Sequence, residues 1–168
     1  ADPAPRPFPF SPGGAPTLEE AERSFAEAPE SGEAGAAVAL GLQRAGRFKE
    51  AAVIVARLRQ IPGKEQDPLI DYIEALLATS ATQPQRGLIL LDRALANAIE
   101  GARGELVAQI RATRSRLLST MGRREEASSE MEQARAAFVA AGDTVSLARV
   151  LNDLAIEAAQ GGDLARAE

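Results

Sequence analysis

The chain has 168 residues, 45% of them hydrophobic but only 4% aromatic, and its 24 Asp and Glu outnumber 19 Lys and Arg for a net charge of −5. An acidic balance argues against non-specific nucleic-acid binding. Without a single Cys or His the chain has no disulfide, no zinc site of the usual kind, and no Cys–His or Ser–His–Asp catalysis.

Residues 1–16, ADPAPRPFPFSPGGAP, hold six prolines and two glycines. Proline fixes φ and lacks a donor, so this stretch reads as a flexible or polyproline-type linker. Phe8 and Phe10 are either a docking motif or residues that lie against a neighbouring domain. Residues 17–30 read as a short helix. Thr17-Leu18-Glu19-Glu20 is a capping box, Leu18, Ala21, Phe25 and Ala28 share a face, and Pro29 ends the element.

From residue 31 to 168 the pattern is helical throughout, with no strand-like alternation. Breaks fall at Ala45-Gly46, residues 61–67, 79–85 and 100–104, Met121-Gly122, Gly142-Asp143 and Gly161-Gly162. Alanine is about one residue in five, which favours closely packed helices. A phrase recurs: Gly46-Arg47-x-x-Glu50-Ala51, then Gly122-Arg123-x-x-Glu126-Ala127. Three tracks of mostly small residues share its register. One runs Ala39, Ala75, Ser115, Ala155; the second Ala51, Gly87, Ala127, Ala167; the third Leu58, Ala94, Ala134. Helices approach closely only where side chains are short, so these tracks predict helix hairpins. The units run about 31–66, 67–103, 104–143 and 144–168, the last cut short. Its unmatched apolar edge predicts either further protein or a partner, including a second copy.

These tracks, with turn residues Gly46, Gly122 and Gly162, resemble the tetratricopeptide repeat from about Gly32 to Glu168. The third and fourth units are most similar to the long repeats of bacterial signalling proteins and winged-helix transcription regulators. The sequence departs from the family in three ways: its Trp and most of its Tyr are absent, Thr82-Gln83-Pro84 replaces the second turn glycine, predicting an irregular turn, and the period exceeds the usual one. The resemblance implies an all-α, right-handed superhelix of antiparallel helix hairpins. It further implies a bacterial module, cytoplasmic or periplasmic, within a larger signalling or regulatory chain.

Little here points to catalysis. Glu19-Glu20 and Glu125-Glu126 are sequence neighbours, which point to different faces of a helix, and no phosphate-binding glycine loop is present. No cofactor or metal is predicted. Arg103, Arg111, Arg114, Arg116, Arg123 and Arg124 lie near Glu105, Glu125 and Glu126, a salt-bridged surface rather than a phosphate stripe. No apolar run reaches the length of a membrane span.

By the resemblance, the first helix of each unit lines a concave groove. Its inward positions are Gln43, Tyr72, Gln109, Ala112, Arg116, Arg149, Asn152 and Ile156. A guanidinium offers carboxylates a planar fork, which nominates Arg116 and Arg149. The Asn152 amide both donates and accepts and suits a peptide backbone. Gln109 and Tyr72 complete the candidate site, Tyr72 being alternatively core. The predicted function is non-catalytic binding of a peptide or protein. The alternatives are homotypic assembly through the C-terminal edge and an enzyme on a helical scaffold.

Overall fold

The computed structural model describes the backbone of residues 15–165 and side chains as far as Ile156. It is all-helical: α1 (Leu18–Glu27), α2 (Gly32–Arg44), α3 (Phe48–Leu58), α4 (Pro68–Ser80), α5 (Pro84–Glu100), α6 (Gly104–Thr120), α7 (Arg124–Ala141) and α8 (Thr144–Ala165). Helix starts are written locally. Thr17 and Glu20 form the capping box of α1, with the Glu20 carboxylate accepting the Thr17 N–H at 2.8 Å. Ser31 caps α2 and Asp67 caps α4.

The turns answer the repeated phrase. At each one a residue adopts a left-handed φ: Gly46, Thr82, Ala102, Gly122 and Gly142. Each donates to the carbonyl three residues back, and the next residue donates to the carbonyl five back from itself, as in Arg47 N–H to Leu42 O at 2.9 Å and Arg123 N–H to Leu118 O at 2.9 Å. This is the Schellman closure, which satisfies the orphan carbonyls of the ending helix. The turn at Thr82-Gln83-Pro84 is therefore not irregular. Gln83 N–H reaches Ala78 O at 2.9 Å, and threonine takes the glycine's place at φ 57°. The Arg and Glu of the phrase staple the next helix: Arg47 grips Glu50 with two hydrogen bonds of 2.8 and 2.6 Å, and Arg123 grips Glu126 with two of 2.7 Å.

The hairpins α2–α3, α4–α5 and α6–α7 form the main contacts, and α2 also touches α4, as α4 touches α6. The small-residue tracks lie at these crossings: Ala39, Ala75, Ala51, Ala127, Ala94 and Ala134 are fully buried. Ser115 Oγ donates to Ala127 O at 2.6 Å, so the two helix backbones nearly touch. Gly35 marks another close approach, since an added Cβ would stand 2.5 Å from Leu58 Cδ2. Around the crossings Leu58, Ile73, Leu91, Leu106, Ile110 and Leu118 are sealed from water. Each contributes about 1.5–3 kcal/mol of burial.

Two features depart from the sequence expectation. Helix α8 runs unbroken through Gly161 and Gly162, where a turn is predicted. Ala155, the fourth member of the first small-residue track, is exposed. Ala167 and the linker residues 1–14 lie outside the described residues.

Candidate functional site

Four of the five side chains nominated from sequence, Tyr72, Gln109, Arg116 and Arg149, converge on one cavity of about 170 Å³. Helix α2 contributes Leu40, Gln43 and Arg44, α4 contributes Tyr72 and Leu76, and α6 contributes Gln109, Ala112 and Arg116. Helix α7 supplies Phe138, and α8 supplies Ser146, Arg149 and Val150. Leu40, Val150 and Phe138 are buried core side chains. Their packing fixes the helices that hold the polar groups at the rim.

The polar groups differ in how far they are already engaged. Tyr72 is both things the sequence allowed. It is buried, and its hydroxyl lies 3.2 Å from Thr113 Oγ1 while the ring faces the cavity. Arg116 donates to the same Thr113 oxygen at 3.2 Å and stands 3.5 Å from the Asp153 carboxylate. Gln109 donates to Ser146 Oγ at 3.0 Å. Among the described residues, Arg44 and Arg149 form no ion pair, and both are exposed. Among the described residues no carboxylate lines the cavity, and of its three guanidiniums Arg116 alone has an acidic neighbour, Asp153.

Asn152 is the exception among the nominated residues. It is exposed on α8 and does not line the cavity, because the α8 face that does so carries Ser146, Arg149 and Val150. Ile156 is likewise exposed and outside the lining. Sequence reasoning missed Arg44, Ser146 and Phe138. Arg44 closes the last turn of α2, where a cation already has a local role beside the helix's negative end. Nothing in its own neighbourhood reveals that it faces α8.

Arg111, Arg114, Arg59 and Arg93 are committed elsewhere. Arg111 and Arg114 both grip Glu130, at 3.1 and 2.6 Å, and Arg114 also reaches Asp92 at 2.7 Å. Of the acidic partners expected from sequence only Glu126 forms an ion pair among the described residues, with Arg123; Arg111 and Arg114 are instead neutralised by Glu130 and Asp92, and Arg103 by Asp67. Asp71 is fully buried between α3, α4 and α5, where Arg59 donates to it and Arg93 binds it with two hydrogen bonds of 2.8 and 2.6 Å. The carboxylate beside it raises the Arg93 pKa. Burial pushes the Asp67 carboxyl up, but the Lys64 ammonium, the Leu69 N–H and Arg103 together hold it below the ordinary aspartate value.

Three further hollows are larger but chemically plainer. The α1–α3 groove over Phe25, Val38 and Ile54 is mostly apolar. In the α3–α5 groove Arg59, Glu74 and Arg86 already satisfy one another. The hollow between α1 and α2 brings only Glu20 and Glu33 as charged groups. Among the described residues no group of three or more Asp and Glu is placed to hold a metal ion, and no helix is long and apolar enough to cross a membrane. Comparison with known proteins gives no match: no family model matches the chain, and no curated protein or solved structure matches it significantly.

Proposed function

We propose that this protein is a non-catalytic binding module that takes a peptide or protein segment bearing carboxylates into the cavity between α2, α4, α6 and α8. The observation behind this reading is the cavity's charge. In a chain of net charge −5, Arg44, Arg116 and Arg149 come from three different helices to one cavity with no carboxylate among its described lining residues. Arg44 and Arg149, which form no ion pair among the described residues, can offer bidentate hydrogen bonds to a carboxylate at this concave surface, beside Arg116 and its Asp153 partner. Gln43, Gln109 and Ser146 add neutral groups that suit an amide backbone. At about 170 Å³ the cavity suits one anchoring side chain or chain end, with the rest of the ligand along the groove.

The architecture fits this role as a tetratricopeptide-like superhelix of hairpins. Its shared turn geometry and register support that assignment, and the sequence resemblance alone suggests a larger bacterial signalling or regulatory chain. The test is selection of a displayed random-peptide library on the immobilised chain, followed by calorimetry of the selected peptides. The expected result is enrichment in Asp, Glu or a free C-terminus. Arg149→Glu should then weaken binding by about ten-fold or more, in line with loss of a hydrogen bond to a charged group. Selection without acidic enrichment, or peptides that bind Arg149→Glu unchanged, overturns the proposal.

A further inference from the structure

Helix α8 brings two opposite charges to the edge of the cavity. Arg149 lines it, and Asp153 follows four residues later, so the two side chains share a face. A base followed by an acid is the weaker order for pairing along a helix. Among the described residues the two form no ion pair. The Asp153 carboxylate reaches across to α6 instead, where it stands 3.5 Å from Arg116 Nη1.

The Arg116–Asp153 contact is loose in two respects. Charge-assisted hydrogen bonds close to about 2.7–2.9 Å, as Arg123 and Glu126 do at 2.7 Å. At 3.5 Å Asp153 attracts Arg116 without that closure. The pair is also open to water: its side chains are 45% and 30% exposed, against 17% and 14% for Arg114 and Glu130. An exposed pair contributes little, so a ligand carboxylate at full hydrogen-bond distance makes the stronger contact. Arg116 does not need Asp153 to stay aimed. It also donates to Thr113 Oγ1 at 3.2 Å, and Thr113 is buried against the Tyr72 hydroxyl.

We infer that Asp153 is a built-in competitor for the cavity: its carboxylate covers Arg116 until the carboxylate of a ligand displaces it. The inference rests on the carboxylate-binding reading above and adds the regulation of that site. Arg44 and Arg149 are open to any anion, whereas Arg116 is gained only by displacing Asp153. The ligand that succeeds must match the planar fork of the guanidinium with both carboxylate oxygens. Asp153 thereby sets the threshold that separates such a ligand from diffuse negative charge.

The test uses N-acetylglutamate as the probe, a small molecule carrying carboxylates and an amide. Its binding is followed by NMR through the arginine Nε–Hε signals and the ring signals of Tyr72, the single tyrosine of a chain without tryptophan. Asp153→Asn keeps the side chain's size and removes its charge. It should shift the Arg116 signal in the free protein and tighten probe binding about five-fold, the factor for releasing an exposed ion pair. Asp153→Glu keeps the competing charge and should bind the probe no tighter than the unmodified protein. In an Arg116→Gln background Asp153→Asn should give no gain, since a double-mutant cycle isolates the contact between the two residues. A gain of the same size in that background overturns the inference, because it would report only the loss of a nearby negative charge. An Arg116 signal unmoved by Asp153→Asn, or a probe affinity that it leaves unchanged, also overturns the inference while the cavity reading stands. A probe that moves none of the Arg44, Arg149 and Tyr72 signals in any variant overturns the cavity reading, and the inference with it.

Discussion

Two junctions in this molecule solve the same packing problem by different chemistry. Between α5, α6 and α7 the helices are nearly equal in length and meet through small residues, with three-residue Schellman turns joining them. Between α3 and α4 the symmetry fails. Helix α3 has only 11 residues, and a loop of residues 59–67 bridges to α4. That junction is held by ions: Asp71, fully buried, joins Arg59 and Arg93, and Glu74 joins Arg59 to Arg86. Where backbones approach uniformly, small side chains set the contact, and the ion pairs of Arg111 and Arg114 with Glu130 and Asp92 flank it. Where one helix stops short, the space admits long guanidinium side chains, and a carboxylate must meet them.

The comparison is broken most sharply at Asp71. Asp71→Ala leaves Arg59 and Arg93 without their shared partner and should destabilise the fold by about 3–5 kcal/mol, the usual cost of removing one member of a buried ion pair. Urea unfolding would show it as a lower midpoint with unchanged slope. A loss below about 1 kcal/mol would mean that the junction rests on packing and not on its ions.

The turns sharpen the comparison with effects of opposite sign. Thr82 and Gly122 occupy equivalent left-handed positions at φ 57° and 77°. Thr82→Gly should stabilise, and Gly122→Ala should destabilise, each by roughly 1 kcal/mol, because only glycine adopts this conformation without strain. Thermal unfolding of the two variants side by side would test this. Equal signs would refute the equivalence of the turns.

The smallest effects are electrostatic and lie in pH. The carboxyls of Glu50 and Glu126, held by Arg47 and Arg123, and of Glu20, held by the Thr17 N–H and hydroxyl, sit below their ordinary value of 4.5, and Asp67 sits below 3.8. A depressed folded-state pKa means that the unfolded chain binds protons first as pH falls. The stabilisation is therefore complete above about pH 5 and fades as pH drops through and below those values. These pairs are exposed and screened by solvent, so the decline should be gradual and salt-sensitive. A urea midpoint independent of pH between 6 and 3 would contradict these contributions.

Much of this was legible in the sequence because it is local. A glycine turn, a capping box and a small-residue track each act within a dozen residues, and the register of Ala39, Ala75 and Ser115 gave the crossings directly. Thr82 was misread because sequence alone suggests glycine at a left-handed position, while the five hydrogen-bonded turns show that the surrounding helices impose it. Four of the five nominated side chains, Tyr72, Gln109, Arg116 and Arg149, reach the cavity; Asn152 does not. Helical periodicity predicts a face to within about one residue, and at Asn152 that margin decides the outcome. Arg44 was invisible for a different reason: its relation to Arg149 spans more than a hundred residues, and no short-range pattern encodes it.

That long span matters for mechanics. The principal helix contacts run only between elements adjacent or next-but-one in the chain. Such a structure behaves like a row of links, free to bend a little at every joint. Yet the cavity wall draws on α2 at one end and α8 at the other. An anion held by Arg44 and Arg149 together would act as a clasp between distant links. It would turn bending, otherwise spread along the row, into work against a single bond, so that occupancy of one small cavity sets the stiffness of the whole array.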